Sequence, residues 1–231
     1  MDTILHGLLN SLGLIVSFNP ELYTIIARSL FVSGCAVTIA AFIGGGVGTV
    51  LALSSFRGRR IVINCLNTMM GLPPVVVGLV LYLLLSRSGP FGFWELLFTP
   101  TAMIIAQTIL AVPIVAALTV SAVGGVPARV RETALGIGAS RSQAVWVIIK
   151  DARFAIMAAV IAGFGRVMAE VGAVMMVGGN LKGYTRVMTT AIAFNTSRGD
   201  FELAIALGII LILLSFLLNF ALQALQGRVN Q

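Results

Sequence analysis

The stretch from Gly124 to Arg153 reads Gly124-Gly125-Val126-Pro127-Ala128-Arg129-Val130-Arg131-Glu132-Thr133-Ala134-Leu135-Gly136-Ile137-Gly138-Ala139-Ser140-Arg141-Ser142-Gln143, followed by Ala144-Val145-Trp146-Val147-Ile148-Ile149-Lys150-Asp151-Ala152-Arg153. Pro127 suits the first turn of a helix, where its missing N–H leaves no hydrogen bond unmade. Gly138 is a natural stop for that helix. Ser140 and Gln143 have the S-x-x-Q spacing of a capping box, so a second helix starts there. The segment therefore predicts a short helix, a sharp turn and another helix. Val130, Ala134 and Ile137 recur at helical spacing, flanked by Arg129, Arg131 and Glu132. An exposed loop has reason to keep such an apolar stripe when another protein covers it.

Outside this segment the chain is strongly apolar. Hydrophobic residues make up 58%, charged residues 10%, and the mean hydropathy is +1.04. A soluble domain needs more polar surface than that, so the chain reads as an all-α polytopic membrane protein. Five segments reach the roughly 20 residues that a bilayer of about 30 Å demands: 22–54, 61–86, 101–123, 153–178 and 201–225. The first is over-long and is expected to tilt or to run beyond the bilayer. Residues 1–21 form an N-terminal segment whose apolar part, 4–18, reads as a helix lying at the membrane interface. The N-terminus lacks the basic region and cleavage site of a secretory signal. The membrane domain covers 22–225, including the cytoplasmic loop 124–152, and 226–231 is a short tail.

Charge sets the orientation. With the loops after the first and third spans inside, Arg57, Arg59, Arg60, Arg129, Arg131, Arg141, Lys150, Arg153 and Arg228 are cytoplasmic. Arg28, Arg87, Lys182, Arg186 and Arg198 are outside. That asymmetry favours the N-terminus out and the C-terminus in. The basic balance thus reports topology, and nucleic acid is not an expected partner.

Several features lie within the spans. Gly44 and Gly48 have GxxxG spacing, which lets helix backbones approach closely. The contact is either within one subunit or between subunits. Pro73 and Pro74 predict a kink or break in the second span, and Pro113 a kink in the third. Arg166 and Glu170 are ionisable residues deep in a span and sit at i,i+4 on one helix face. They either line a pathway or form a self-neutralised packing pair. Cys35 and Cys65 read as packing residues, with no metal site. The methionine pairs Met69-Met70 and Met175-Met176 read first as flexible packing, with Met176 also a candidate for the pathway. Gly178-Gly179-Asn180 end the fourth span. Beyond it, Lys182, Arg186, Thr185, Thr189 and Thr190 make a polar, basic region suited to an anion or to an ordinary solvated loop.

Glu132-Thr133-Ala134 with Gly138 six residues after the glutamate resembles the EAA motif of type I ABC importer permeases. Thr133 replaces the second residue of E-A-A, and Lys150-Asp151 stands where many members have Leu-Pro. Leu72-Pro73-Pro74-Val75-Val76-Val77-Gly78 and Ala106 to Pro113 are similar to spans of the molybdate, sulfate and tungstate permeases. Glu170 to Asn180, followed by Gly183 to Ile192, looks like the tungstate branch of that group.

The resemblance covers roughly 22–225 and implies a five-span permease whose loop forms coupling helices. It puts Arg129, Val130, Arg131, Glu132, Thr133, Ala134, Leu135, Gly136 and Gly138 against a separate ATPase. Arg166, Glu170, Met176, Asn180, Thr189 and Thr190 become pathway or gate candidates. The partners it implies are an ATPase dimer, a periplasmic or lipoprotein oxyanion-binding protein and a second permease copy, and it places this chain in the cell's inner membrane. No G-x4-G-K-[ST] run is present, so ATP and Mg belong to the ATPase, and this chain binds no cofactor and is not itself an enzyme. The rival readings are a molybdate or sulfate permease and, from another class, an ion-coupled secondary transporter. The latter typically shows inverted repeats, and no internal repeat is evident. A membrane-embedded enzyme would need a cluster of His, Asp, Glu or Cys at depth.

Overall fold

The computed structural model describes residues 13–14, 16–17 and 19–227. Most of the interfacial segment expected at 4–18 falls outside these, as does the tail beyond 227. The regular structure of the described residues is helical: α1 (Pro20–Leu53), α2 (Arg59–Met69), α3 (Pro74–Leu85), α4 (Pro100–Gly124), α5 (Ala128–Gly136), α6 (Arg141–Met168), α7 (Gly172–Gly178), α8 (Met188–Arg198) and α9 (Phe201–Gly227). A single 3-10 turn covers Gly92–Trp94. Among the described residues, length and hydropathy select Pro20–Leu53, Pro100–Gly124 and Phe201–Leu218 as spans, and the α2–α3 pair as a broken fourth.

The second expected span is not one kinked helix. Its halves meet at 94°, because Pro73 is extended (ψ 116°) and caps α3 while Pro74 occupies its first turn. Two successive residues that cannot donate leave no i→i−4 ladder to carry α2 onward. Pro113, in contrast, lies inside an unbroken α4. The fourth span also differs from expectation. α6 runs 28 residues from the elbow to Met168, so Lys150-Asp151 is mid-helix and marks no exit. The helix stops there, and α7 is a separate short piece. Two connectors read as loops contain the 3-10 turn and α8.

The chain packs as two compact units, one formed by 1–36, 73–107 and 165–219, the other by 37–72, 108–164 and 220–231. In the second unit, α1 meets α4 at backbone distance. A Cβ at Gly44 would lie 2.8 Å from the Val112 oxygen, and one at Gly48 would lie 2.6 Å from that of Ala116. The GxxxG pair is therefore a contact within one chain, and only glycine fits it. Arg59 Nε donates to Leu51 O at 2.6 Å and its Nη2 to Ala52 O at 3.3 Å, satisfying carbonyls that the end of α1 leaves open. Val123, Ile148 and Ala152 close a small core against Ala52, Leu53, Val126 and Ile156. It ties the stem of the elbow to the ends of α1 and α4.

In the first unit, Asn19 Oδ1 accepts from the N–H groups of Glu21 (3.0 Å) and Leu22 (3.3 Å), which caps α1. Leu22, Val32, Met103, Val174, Val177, Met188 and Leu207 are fully buried and form its core. α3 packs on α7, with Gly78 close against Ala173 and Met176.

Candidate functional sites

The elbow lies in the second unit and is built by local chemistry. Pro127 is the N-cap of α5, one position earlier than its expected place inside the first turn. At the far end Gly138 takes φ +89°. The Ala139 N–H donates to Ala134 O and the Gly138 N–H to Leu135 O, both at 3.0 Å. This is a Schellman stop, and the left-handed residue it needs is the glycine. Two residues later the capping box is formed: Ser140 N–H donates to Gln143 Oε1 at 2.8 Å, and Gln143 N–H to Ser140 Oγ at 3.3 Å.

The apolar stripe divides. Ala134 is buried and Val130 half-buried, whereas Ile137 is 82% exposed. Leu135, Trp146 and Val147 are also exposed, with Trp146 at 65%. The uncovered apolar surface thus combines the end of α5 with the first turns of α6. Around it Arg129, Arg131, Glu132, Thr133 and Gly136 are exposed. Trp146 was not singled out from sequence. The signal for it was a bulky aromatic at the second turn of a helix that begins in a polar loop. Cys65, read as a packing residue, is exposed on α2, and Cys35 is half-buried.

The second site lies in the first unit, where α6 ends. Arg166 Nη1 donates to Glu170 Oε2 at 3.0 Å, with the arginine side chain 40% exposed and the carboxylate 5%. The other carboxylate oxygen accepts from Ala173 N–H at 3.1 Å. Glu170 therefore closes α6 and opens α7 at once. Two more side chains hold the break. Thr189 Oγ1 donates to Glu170 O at 2.8 Å, and Gln107 Nε2 donates to Val167 O at 3.1 Å. Gln107 is buried in α4, and its role was not visible in the sequence. Met176 is half-buried on α7 and packs against α3.

Asn180 follows Gly179 with both in the left-handed region, φ 50° and 68°, an arrangement that ends α7 and turns the chain. Beyond it the expected open basic region is largely occupied. Glu21 accepts from Lys182 Nζ at 2.8 Å and lies 3.7 Å from Arg186. The Arg186 guanidinium also sits 4.9 Å from the Phe194 ring centroid. Thr185 donates to Gly178 O and Thr190 to Val187 O, at 2.5 and 3.1 Å. With Thr189 on Glu170, the three hydroxyls are bound to main chain. They shape the turn, and they are not presented to a passing anion.

An all-helical membrane chain with an exposed helical elbow and a broken intramembrane helix defines a permease subunit of the type I ABC importer fold. Residues 40–231 match the binding-protein-dependent transport system inner membrane component family, and the chain belongs to it. It is therefore a multi-pass inner-membrane protein whose work is transport. It is 43% identical over 226 residues to the tungstate uptake system permease protein TupB of Peptoclostridium acidaminophilum, covering 98% of this chain and 99% of that one. It is 36% identical to the TupB of Campylobacter jejuni, covering 98% and 95%. A probable anion ABC transporter permease of Haloferax volcanii is 43% identical, over 84% of this chain and 85% of that one. A solved inward-facing MetNI methionine ABC transporter has the same fold, with TM-score 0.74, 17% identity, and coverage of 93% and 99%.

Proposed function

We propose that this chain is the membrane subunit of an ATP-driven importer for a tetrahedral oxyanion, and that the anion is tungstate. The observation that carries the cargo is the 43% identity, along nearly the whole of both chains, to a tungstate uptake permease. Relatives named for molybdenum and sulfate transport are more distant, at 26% and 27%.

The working complex is two copies of this chain, two ATPase subunits and one oxyanion-binding protein outside. The N-terminus faces out and the C-terminus faces the cytoplasm. ATP with Mg is bound and hydrolysed by the ATPase subunits. Closure of the ATPase dimer moves the elbow, where Arg129 to Gly136, Gly138, Ile137 and Trp146 form the docking surface. A helix is stiff along its axis, so α6 carries that displacement from Ser140 to the break at Glu170 without an intervening joint. There it meets Arg166, Glu170, Met176, Asn180, Thr189 and Thr190, which act as the gate. The buried main-chain bonds of Thr189 and Thr190 suit a gate whose turn is held shut between transport events.

Calorimetry of the purified binding protein with tungstate, molybdate and sulfate tests the cargo. Tungstate is expected to bind at least about tenfold more tightly, a difference of about 1.4 kcal/mol. Equal or tighter binding of molybdate or sulfate reassigns the system to that anion.

A further inference from the structure

We propose that the segment joining α3 to α4 is a membrane-interface anchor, with Phe91, Phe93 and Trp94 seated among lipid headgroups. Three observations within the first unit lead there. The outward face of α3 is aliphatic, with Val76, Leu79, Val80 and Leu83 each 45% exposed or more. Beyond Ser86 and the exposed Arg87, the loop turns aromatic on its surface: Phe93 is 73% exposed and Trp94 54%. Arg87 and Glu95 beside them are exposed and charged. An aliphatic helix face that ends in a loop of mixed aromatic and charged residues has the composition of a bilayer boundary, where aromatic residues concentrate. In an inner-membrane protein, an aliphatic helix surface continuous with such a loop fits lipid, with the loop at headgroup depth.

The loop is built to hold this arrangement. The Phe91 N–H donates to Leu84 O at 3.0 Å, folding the loop back on the end of α3. Phe91 and Trp94 stack at 5.1 Å with 10° between their planes, and Phe93 leans on the same indole at 5.1 Å. Glu95 and Phe98 take positive φ, 50° and 62°, a strain that non-glycine residues accept when the surroundings fix them. The Phe98 N–H donates to Val177 O at 2.8 Å, so the anchor is tied to the end of α7. A cleft of about 500 Å³ in the same segment is lined by polar Ser86, Arg87 and Glu95 together with apolar Tyr82, Leu85 and Phe98. Such a mixed lining suits a phospholipid's headgroup and the start of its chains.

The chain has two tryptophans, so Trp146→Phe leaves Trp94 as the sole indole reporter, with Trp146→Tyr as a second carrier. The full chain is reconstituted into phosphatidylcholine–phosphatidylglycerol vesicles with bromines placed on the acyl chains near the glycerol or near the methyl end. Strong quenching of Trp94 by the glycerol-end bromines, and several-fold weaker quenching by the methyl-end bromines, is the expected result. Emission quenched by aqueous iodide and by neither lipid overturns the proposal. So does deeper quenching by the methyl-end bromines, or emission that changes only when the binding protein is added. None of these readouts depends on cargo or on ATP.

Discussion

The Thr189 hydroxyl donates to the main-chain carbonyl of Glu170 at 2.8 Å, across 19 residues of sequence. The carboxylate of that glutamate meanwhile accepts from Arg166 and from the first turn of α7. One residue thus joins the end of the long helix from the elbow, the start of α7 and the first turn of α8. A change in any of the three elements must disturb the other two.

Thr189→Val keeps the shape and removes the donor. The buried carbonyl then loses its partner, a loss of about 1 kcal/mol. A lower melting temperature in detergent together with altered uptake kinetics is expected. Unchanged melting and unchanged uptake would show that the bond holds nothing in place.

Arg166→Ala leaves a buried carboxylate with a single N–H partner. Removing one partner of a fully buried pair costs about 3–5 kcal/mol, and the open side of Arg166 reduces this to about 2 kcal/mol. The double change Arg166→Gln with Glu170→Gln is expected to cost less than the two single changes together. It should assemble normally while uptake falls. Normal uptake by the assembled double variant would make the pair a packing device only.

At the elbow, Ser140→Ala removes a cap and costs about 1 kcal/mol. Gly138→Ala forces a side chain into the left-handed region, also at about 1 kcal/mol. Both are expected to weaken transport more than ATP hydrolysis, because the turn between docking helix and α6 loosens. Glu132→Ala and Gly138→Pro should uncouple the two fully. Coupled transport in all four variants would remove the elbow from the drive train.

Gly48→Leu places a branched side chain where a Cβ alone would sit 2.6 Å from the Ala116 oxygen. Loss of folded protein on size-exclusion chromatography is expected, whereas Gly45→Leu, which meets nothing within 4 Å, should be tolerated. Equal behaviour of the two would contradict the close α1–α4 contact.

The elbow was legible because its signals are local. Pro127, Gly138, Ser140 and Gln143 each act within one turn of chain, and their hydrogen bonds need no distant partner. The break between α6 and α7 was not, since Ala169-Glu170-Val171 contains neither proline nor glycine. It is imposed by Gln107, which lies 60 residues before its partner Val167, and by Thr189, which lies 19 residues after its partner Glu170. Hydropathy therefore ran one span through it. The basic region near 182–186 misled for a related reason: Glu21, which answers both cations, lies 161 residues away from Lys182. Pro73-Pro74 announced a break, but two prolines in sequence do not set the angle of 94° at which the halves meet. Trp146 lies in an apolar run, Ala144 to Ile149, and its 65% exposure follows from tertiary packing that the run does not encode.

The central claim is that ATP binding elsewhere drives transport through the elbow of this chain. Uptake of labelled tungstate into proteoliposomes holding the permease, its ATPase and its binding protein tests it most directly, with Ile137→Asp as the comparison. Accumulation that requires ATP, and that falls about tenfold or more in Ile137→Asp for about 1.4 kcal/mol of lost docking energy, is the predicted result. Accumulation that continues without ATP and collapses with an imposed proton gradient would contradict it.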